Sequence, residues 1–104
     1  MTDQNYQNLY KKLQEEKTEI SIKDLQVHQK RKALILVSDT LDITEVAVLI
    51  ALDDKKSIEN WLSKSLIENV EDDQFKSMTQ NNNKIFSFII VQPFVLIQYL
   101  RNLQ

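Results

Sequence analysis

The apolar positions of this chain change their spacing several times, and each change marks an element. Between residues 3 and 16, Tyr6, Leu9, Tyr10 and Leu13 fall on one helical stripe, while Lys11, Lys12, Glu15 and Glu16 face away. That spacing predicts a surface helix, with residues 1–5 fraying at its start. Residues 17–19 read as a short link. Ser21 stands where it can cap a second, short helix running from Ile22 to Arg31 and burying Ile22 and Leu25. Lys30, Arg31 and Lys32 fall at its C-terminal end, where cations suit the helix dipole. Ala33 to Val37, ALILV, is a short apolar run with β-branched residues and predicts a buried strand.

Residues 42–66 form the centre of the pattern. Ile43 and the run from Val46 to Leu52 leave almost no polar face, which predicts a buried helix. Asp42 precedes it and Glu45 lies three residues on, the spacing of an N-terminal capping box with an acid in place of the usual hydroxyl. Losing such a cap costs about 1 kcal/mol. After Asp53 and Asp54 the spacing returns to one-sided: Ile58, Trp61, Leu62, Ser65 and Leu66 share a face, and Lys55, Lys56, Glu59, Asn60, Ser63 and Lys64 fall mostly outside it. A buried helix followed at once by an amphipathic one reads as a helix-turn-helix pair.

Residues 67–70 are long enough for a short strand. Asp72 to Gln80 predicts a helix with Phe75 and Met78 inward, and residues 81–84 a loop. The last segment, IFSFIIVQPFVLIQYL, is rich in Ile, Val and Phe with Pro93 inside it. Proline inside a helix costs about 3 kcal/mol, whereas sheets tolerate it at an edge or bulge. The segment therefore reads as strand from Phe86 to Val91, a turn or bulge at Gln92-Pro93, and strand again to Gln98. The competing reading is a kinked C-terminal helix. The expected class is an α+β single domain over residues 1–104: two helices, a strand, a helix pair, a short strand, a helix and a C-terminal strand segment. Strand, helix, helix, strand, strand is the order of a winged helix-turn-helix domain.

Composition narrows the chemistry. A chain of 104 residues buries roughly 65% of its unfolded surface, enough for one modest core. Hydrophobic residues make up 42% and charged residues 27%, which argues against disorder. The formal net charge of −2 lacks the basic excess that non-specific nucleic-acid binding needs. The chain has no cysteine, so disulfides, thiol nucleophiles and thiolate metal sites are excluded. It has no glycine either. A Gly-rich phosphate loop, a dinucleotide fingerprint and a nucleophile elbow are therefore excluded as usually built. Positions needing positive φ are expected at Asn or Asp, with Asn81, Asn82 and Asn83 the first candidates. Residues 1–19 are polar, unlike a signal peptide, and the apolar run from Ile85 to Leu100 is shorter than the ~20 residues of a membrane span. The expected setting is cytoplasmic, away from the membrane.

Several fragments in this order and spacing carry a family resemblance: Leu9-Tyr10 with Leu13, Ile20 through Leu25, Arg31, LDITEVA at 41–47, DDKKSIENWL at 53–62 and PFVLIQ at 93–98. Together, over residues 9–98, they resemble the small bacterial family called domain of unknown function 2288. Ile22 and Phe94 stand where that family often has tryptophan, and Lys32 where it often has glycine. The resemblance implies one compact domain and no activity.

The candidate sites are few. His28 is the single histidine, near the apolar edge of its helix, with no nucleophile or metal-ligand companions in view, and reads as a structural or surface residue. Asp53-Asp54 and Asp72-Asp73 have the oxygen donors for magnesium, but both pairs sit where helices begin, and capping accounts for them. Trp61 reads as core by its spacing, with an exposed partner anchor as the alternative. No catalytic residue, cofactor site or metal site is identified. The function expected is a non-enzymatic module that binds an unknown protein partner or its own copies. The alternative is a winged-helix-like DNA- or RNA-binding module, which would contact phosphate through Lys30, Arg31, Lys32, Lys55, Lys56 and Lys64.

Overall fold

Along the chain the elements are α1 (Asp3–Glu16), β1 (Thr18–Ser21), a 3-10 turn (Ile22–Leu25), α2 (Gln26–Lys30), β2 (Leu34–Val37), α3 (Ile43–Ala51), α4 (Lys55–Ser63), β3 (Ile67–Asn69), α5 (Asp72–Thr79), β4 (Ile85–Val91) and β5 (Phe94–Tyr99). The computed structural model describes residues 3–80 and 84–100. The strands form one mixed sheet in the order β1-β4-β5-β2-β3, parallel between β2 and β5 and antiparallel elsewhere. The protein is therefore an α+β domain.

The two faces of the sheet follow from side-chain alternation. Ile35, Val37, Ile67, Ile89 and Leu96 point to one side, where they pack with Leu13, Ile43, Val46, Ala47, Val48 and Trp61 of α1, α3 and α4. Leu34, Phe86, Val95 and Ile97 point to the other, against Ile22 and Leu25 of the 3-10 turn and Phe75 and Met78 of α5. The sheet is thus sandwiched between helices. Phe86, Leu34, Leu96 and Ile97 have no measurable exposure. Each such side chain contributes about 1.5–3 kcal/mol relative to an exposed one, more than any single cap.

The register bears out the strand reading of the C-terminal segment. Leu34, Ile35 and Leu36 lie opposite Val95, Leu96 and Ile97. Val91 pairs with Phe94, so Gln92 and Pro93 form a two-residue hairpin loop, with a cis peptide bond between them.

Sequence and structure part company at several points. Of the expected link at residues 17–19, Thr18 and Glu19 belong instead to the edge strand β1, which pairs with Ile85–Phe88 of β4. Residues 22–31 begin as a 3-10 turn before α2. Ser21 does not cap it: its hydroxyl donates to Asp24 Oδ2 at 3.2 Å and makes no capping bond. The described part of α1 starts at Asp3, and residues 1–2 lie outside the described residues. Asn81, Asn82 and Asn83 also lie outside them. The positive φ angles that are described fall on Lys32 (58°), Asp53 (56°) and Ser65 (58°).

Those three residues share one geometry. Each follows the C-cap of α2, α3 or α4. Lys32 N–H donates to Gln29 O and Ala33 N–H to His28 O. Asp53 N–H donates to Ile50 O and Asp54 N–H to Leu49 O. Ser65 N–H donates to Leu62 O and Leu66 N–H to Trp61 O. This is the paired bonding of a Schellman motif, whose left-handed residue is usually glycine. A chain without glycine builds it three times with side chains that carry a Cβ, at about 1–2 kcal/mol each.

Candidate functional site

Of the depressions on the described surface, two flank the sheet, one on each helical layer. The first is an apolar groove of about 360 Å³ between α4 and the outer edge of β3. Ile58 and Leu62 form its helical wall, Phe94 and Ile35 its floor, and Ile67 and Asn69 its strand wall. Leu62, in the last turn of α4, is 48% exposed although it lies on the apolar stripe of the helix. Asp53, Glu59 and Glu68 stand on the rim, with Lys55 as the single cation there.

The strand wall is an open edge. β3 pairs with β2 on one side only, with Glu68 opposite Leu36. Ser38 N–H donates to Leu66 O at 2.8 Å, and Val70 N–H to Leu34 O at 3.1 Å. Antiparallel alternation therefore turns the backbone groups of Ile67 and Asn69 outward, toward the groove.

The second depression, about 380 Å³, lies between α2 and α5 on the other layer. Its lining includes Gln29, Lys30, Lys32, Asp72, Phe75 and Lys76. Gln29 is only 5% exposed. Its amide nitrogen donates to Val70 O at 3.1 Å and to Asp72 Oδ1 at 2.8 Å, while Lys32 Nζ lies 3.0 Å from Asp72 Oδ2. The Gln29 amide, and after it Lys32, hold the Asp72 carboxyl below its ordinary range. The Gln29 carbonyl oxygen is buried without a hydrogen-bond partner.

The residues singled out from the sequence are dispersed. Lys30, Arg31 and Lys32 close α2 on the layer of α5, whereas Lys55, Lys56 and Lys64 belong to α4 on the opposite layer. They do not form one surface. His28 is half-buried, with Nδ1 3.0 Å from Arg31 Nη2. Trp61 is core, 9% exposed. Asp54 caps α4 by accepting from Ser57 N–H at 3.2 Å, and Asp42 caps α3 by accepting from Thr44 N–H at 3.0 Å. The other acidic pair is corrected: Glu71, not Asp72 or Asp73, occupies the N-cap position of α5, and makes no side-chain capping bond. Among the described residues, no three His, Cys, Asp or Glu side chains are grouped to hold a metal ion. No described helix is long and apolar enough to cross a membrane.

Sequence reasoning passed over Gln29 and the β3 edge. Gln29 follows Ile22 and Leu25 at i+7 and i+4, so its place on the buried face was readable. That its amide reaches Val70 and Asp72, more than forty residues away, was not.

The comparisons with known proteins agree with this architecture. The profile of a family described as "Protein of unknown function (DUF2288)" matches residues 8–99. The chain belongs to the DUF2288 family. It is also similar to the solution NMR structure of PA1075 from Pseudomonas aeruginosa, at 34% sequence identity and a TM-score of 0.78, over 98% of this chain and 93% of that one. No curated protein matches. Lys32 occupies the left-handed position closing α2, a conformation in which the glycine that the resemblance implies there would cost less.

Proposed function

We propose that this DUF2288 protein is a non-enzymatic interaction module that takes up an extended segment of a partner protein along β3. The observation that carries this reading is the open edge of Ile67 and Asn69 running beside an apolar groove. Strand addition uses both features at once: main-chain bonds supply affinity, and alternate side chains enter the groove. The acidic rim residues Asp53 and Glu59 favour a segment with apolar residues interleaved with lysine or arginine. Self-pairing is disfavoured. An antiparallel β3–β3 contact centred on Glu68 would set that carboxylate opposite its own copy, and like charges directly opposite destabilise a sheet.

A peptide library panned against the immobilised protein tests this. Selected peptides should alternate apolar and basic residues and shift the NMR signals of Ile67, Glu68, Asn69 and Leu62. Leu62→Asp, at an exposed position, should abolish binding without unfolding the domain. Peptides that bind equally to this variant, or that shift only amides elsewhere, defeat the reading. Concentration-dependent dimerisation that blocks the peptides would replace the foreign segment with a second copy.

A further inference from the structure

The depression between α2 and α5 lies on the other layer and is independent of the strand-addition groove. Its lining combines cations with a buried acceptor. Lys30, Lys32 and Lys76 surround it, and Thr79 and Phe75 complete its α5 wall. Lys32 is held by Asp72. Among the described residues, Lys30 and Lys76 make no ion pair. Gln29 adds a second, different feature. Both of its donors are occupied by acceptors, Val70 O and Asp72 Oδ1, which fixes which end of the amide is the oxygen. That oxygen is buried and unpartnered. A buried acceptor without a donor is an uncommon feature that asks for an explanation, and a ligand donor supplies one.

We propose that this pocket binds a small phosphate monoester that carries a hydrogen-bond donor. Its phosphate is taken by Lys30 and Lys76, and its N–H or O–H reaches the Gln29 oxygen. A volume of about 380 Å³ falls within the range of small-molecule sites. Ammonium groups on flexible stems suit a phosphate as point charges. The negative charge of Asp72 is already committed to Lys32 and to the Gln29 amide, so it does not cancel the two remaining lysines. Because the Gln29 oxygen is shut off from water in the free protein, binding requires a small shift of its amide, which the side-chain NH₂ signals will report.

The test is an NMR titration of the full chain with ribose 5-phosphate, adenosine monophosphate and inorganic phosphate. The monoesters should move the Gln29 side-chain amide and the backbone amides of Lys76 and Thr79, and bind about tenfold more tightly than inorganic phosphate. Gln29→Leu should bring them down to the level of inorganic phosphate. The paired variant Lys30→Ala, Lys76→Ala changes only exposed side chains and should keep the fold while losing all three ligands. Should Gln29→Leu not fold, the paired variant and the preference over inorganic phosphate still decide. Inorganic phosphate binding as tightly as the monoesters overturns the proposal. So does the absence of any shift at millimolar ligand, or a short single-stranded RNA binding where the monophosphates do not.

Discussion

Two side chains carry testable consequences of their own. Trp61 lies in the core beside Ile58 and Leu66, and its carbonyl accepts the Leu66 N–H that closes α4. Trp61→Ala should cost about 3–5 kcal/mol, a large part of the roughly 5–15 kcal/mol of a small domain. Urea titration followed by circular dichroism measures it, and a midpoint unchanged from the parent contradicts the burial. Tyr10 is the second case. Its hydroxyl donates to Asp42 Oδ2, the acid that also caps α3. Ionising the phenol destroys that bond and sets two anions together, so its pKa is pushed up to about 12 from 10.0. A folded-state pKa raised in this way stabilises the protein fully below pH 10 and is lost as pH rises through about 12. Tyr10→Phe should therefore cost about 1 kcal/mol near neutrality and flatten the fall in melting temperature between those pH values. Parallel slopes in parent and variant would sink this.

At the scale of elements, the helix ends are where this chain departs from usual practice. Three Schellman closures without glycine hold Lys32, Asp53 and Ser65 left-handed. Ser65 is exposed, and no described side-chain bond ties it down. Ser65→Gly trades about 1–2 kcal/mol of left-handed cost against about 0.4–1 kcal/mol of extra freedom in the unfolded chain. The balance, about 0.8 kcal/mol, should raise the melting temperature by roughly 3–6 °C; a lower melting temperature would mean that the hydroxyl is needed. The same positions mark how far the sequence could be read. The helices α1, α3, α4 and α5 and the strands β2, β4 and β5 were legible because their apolar spacing is sustained. β1 was not, because Thr18 and Glu19 are exposed and only Ile20 offers an apolar mark. The left-handed residues Lys32, Asp53 and Ser65 were not legible, because position at a helix closure outweighs the propensity of the residue type there. In the candidate sites, the acidic rim and the lysines could be named individually, but the groove and the pocket exist only once distant segments meet.

For the molecule as a whole, the distribution of charge decides what large partners it can meet. The net charge is −2, and the six basic residues that a nucleic-acid reading needs are divided between opposite layers of the sandwich. No single approach of a duplex engages both sets. The α4 set also has Glu59 within it and Asp53 and Glu68 nearby on the groove rim. Labelled duplex DNA should therefore show no binding by anisotropy at physiological salt, where even non-specific binders reach about 10⁻⁴–10⁻⁶ M. Micromolar binding that weakens steeply with salt, and again in the variant Lys55→Glu, Lys56→Glu, Lys64→Glu, would put the nucleic-acid reading first.

The sheet order has a consequence for how the protein is made. The strand in the middle, β5, is the last of the described strands in the sequence, and β1 waits at one edge for a β4 that begins more than sixty residues later. Synthesis delivers the chain from its N-terminus, so α1, β1 and the α3–α4 pair emerge from the ribosome before the strand that joins the two halves of the sheet exists. Helices can form locally during that time, but β2 with β3, and β4 with β1, have no common seam until Phe94–Tyr99 clears the exit tunnel. Until then the β1–β4 and β2–β3 pairs stay apart.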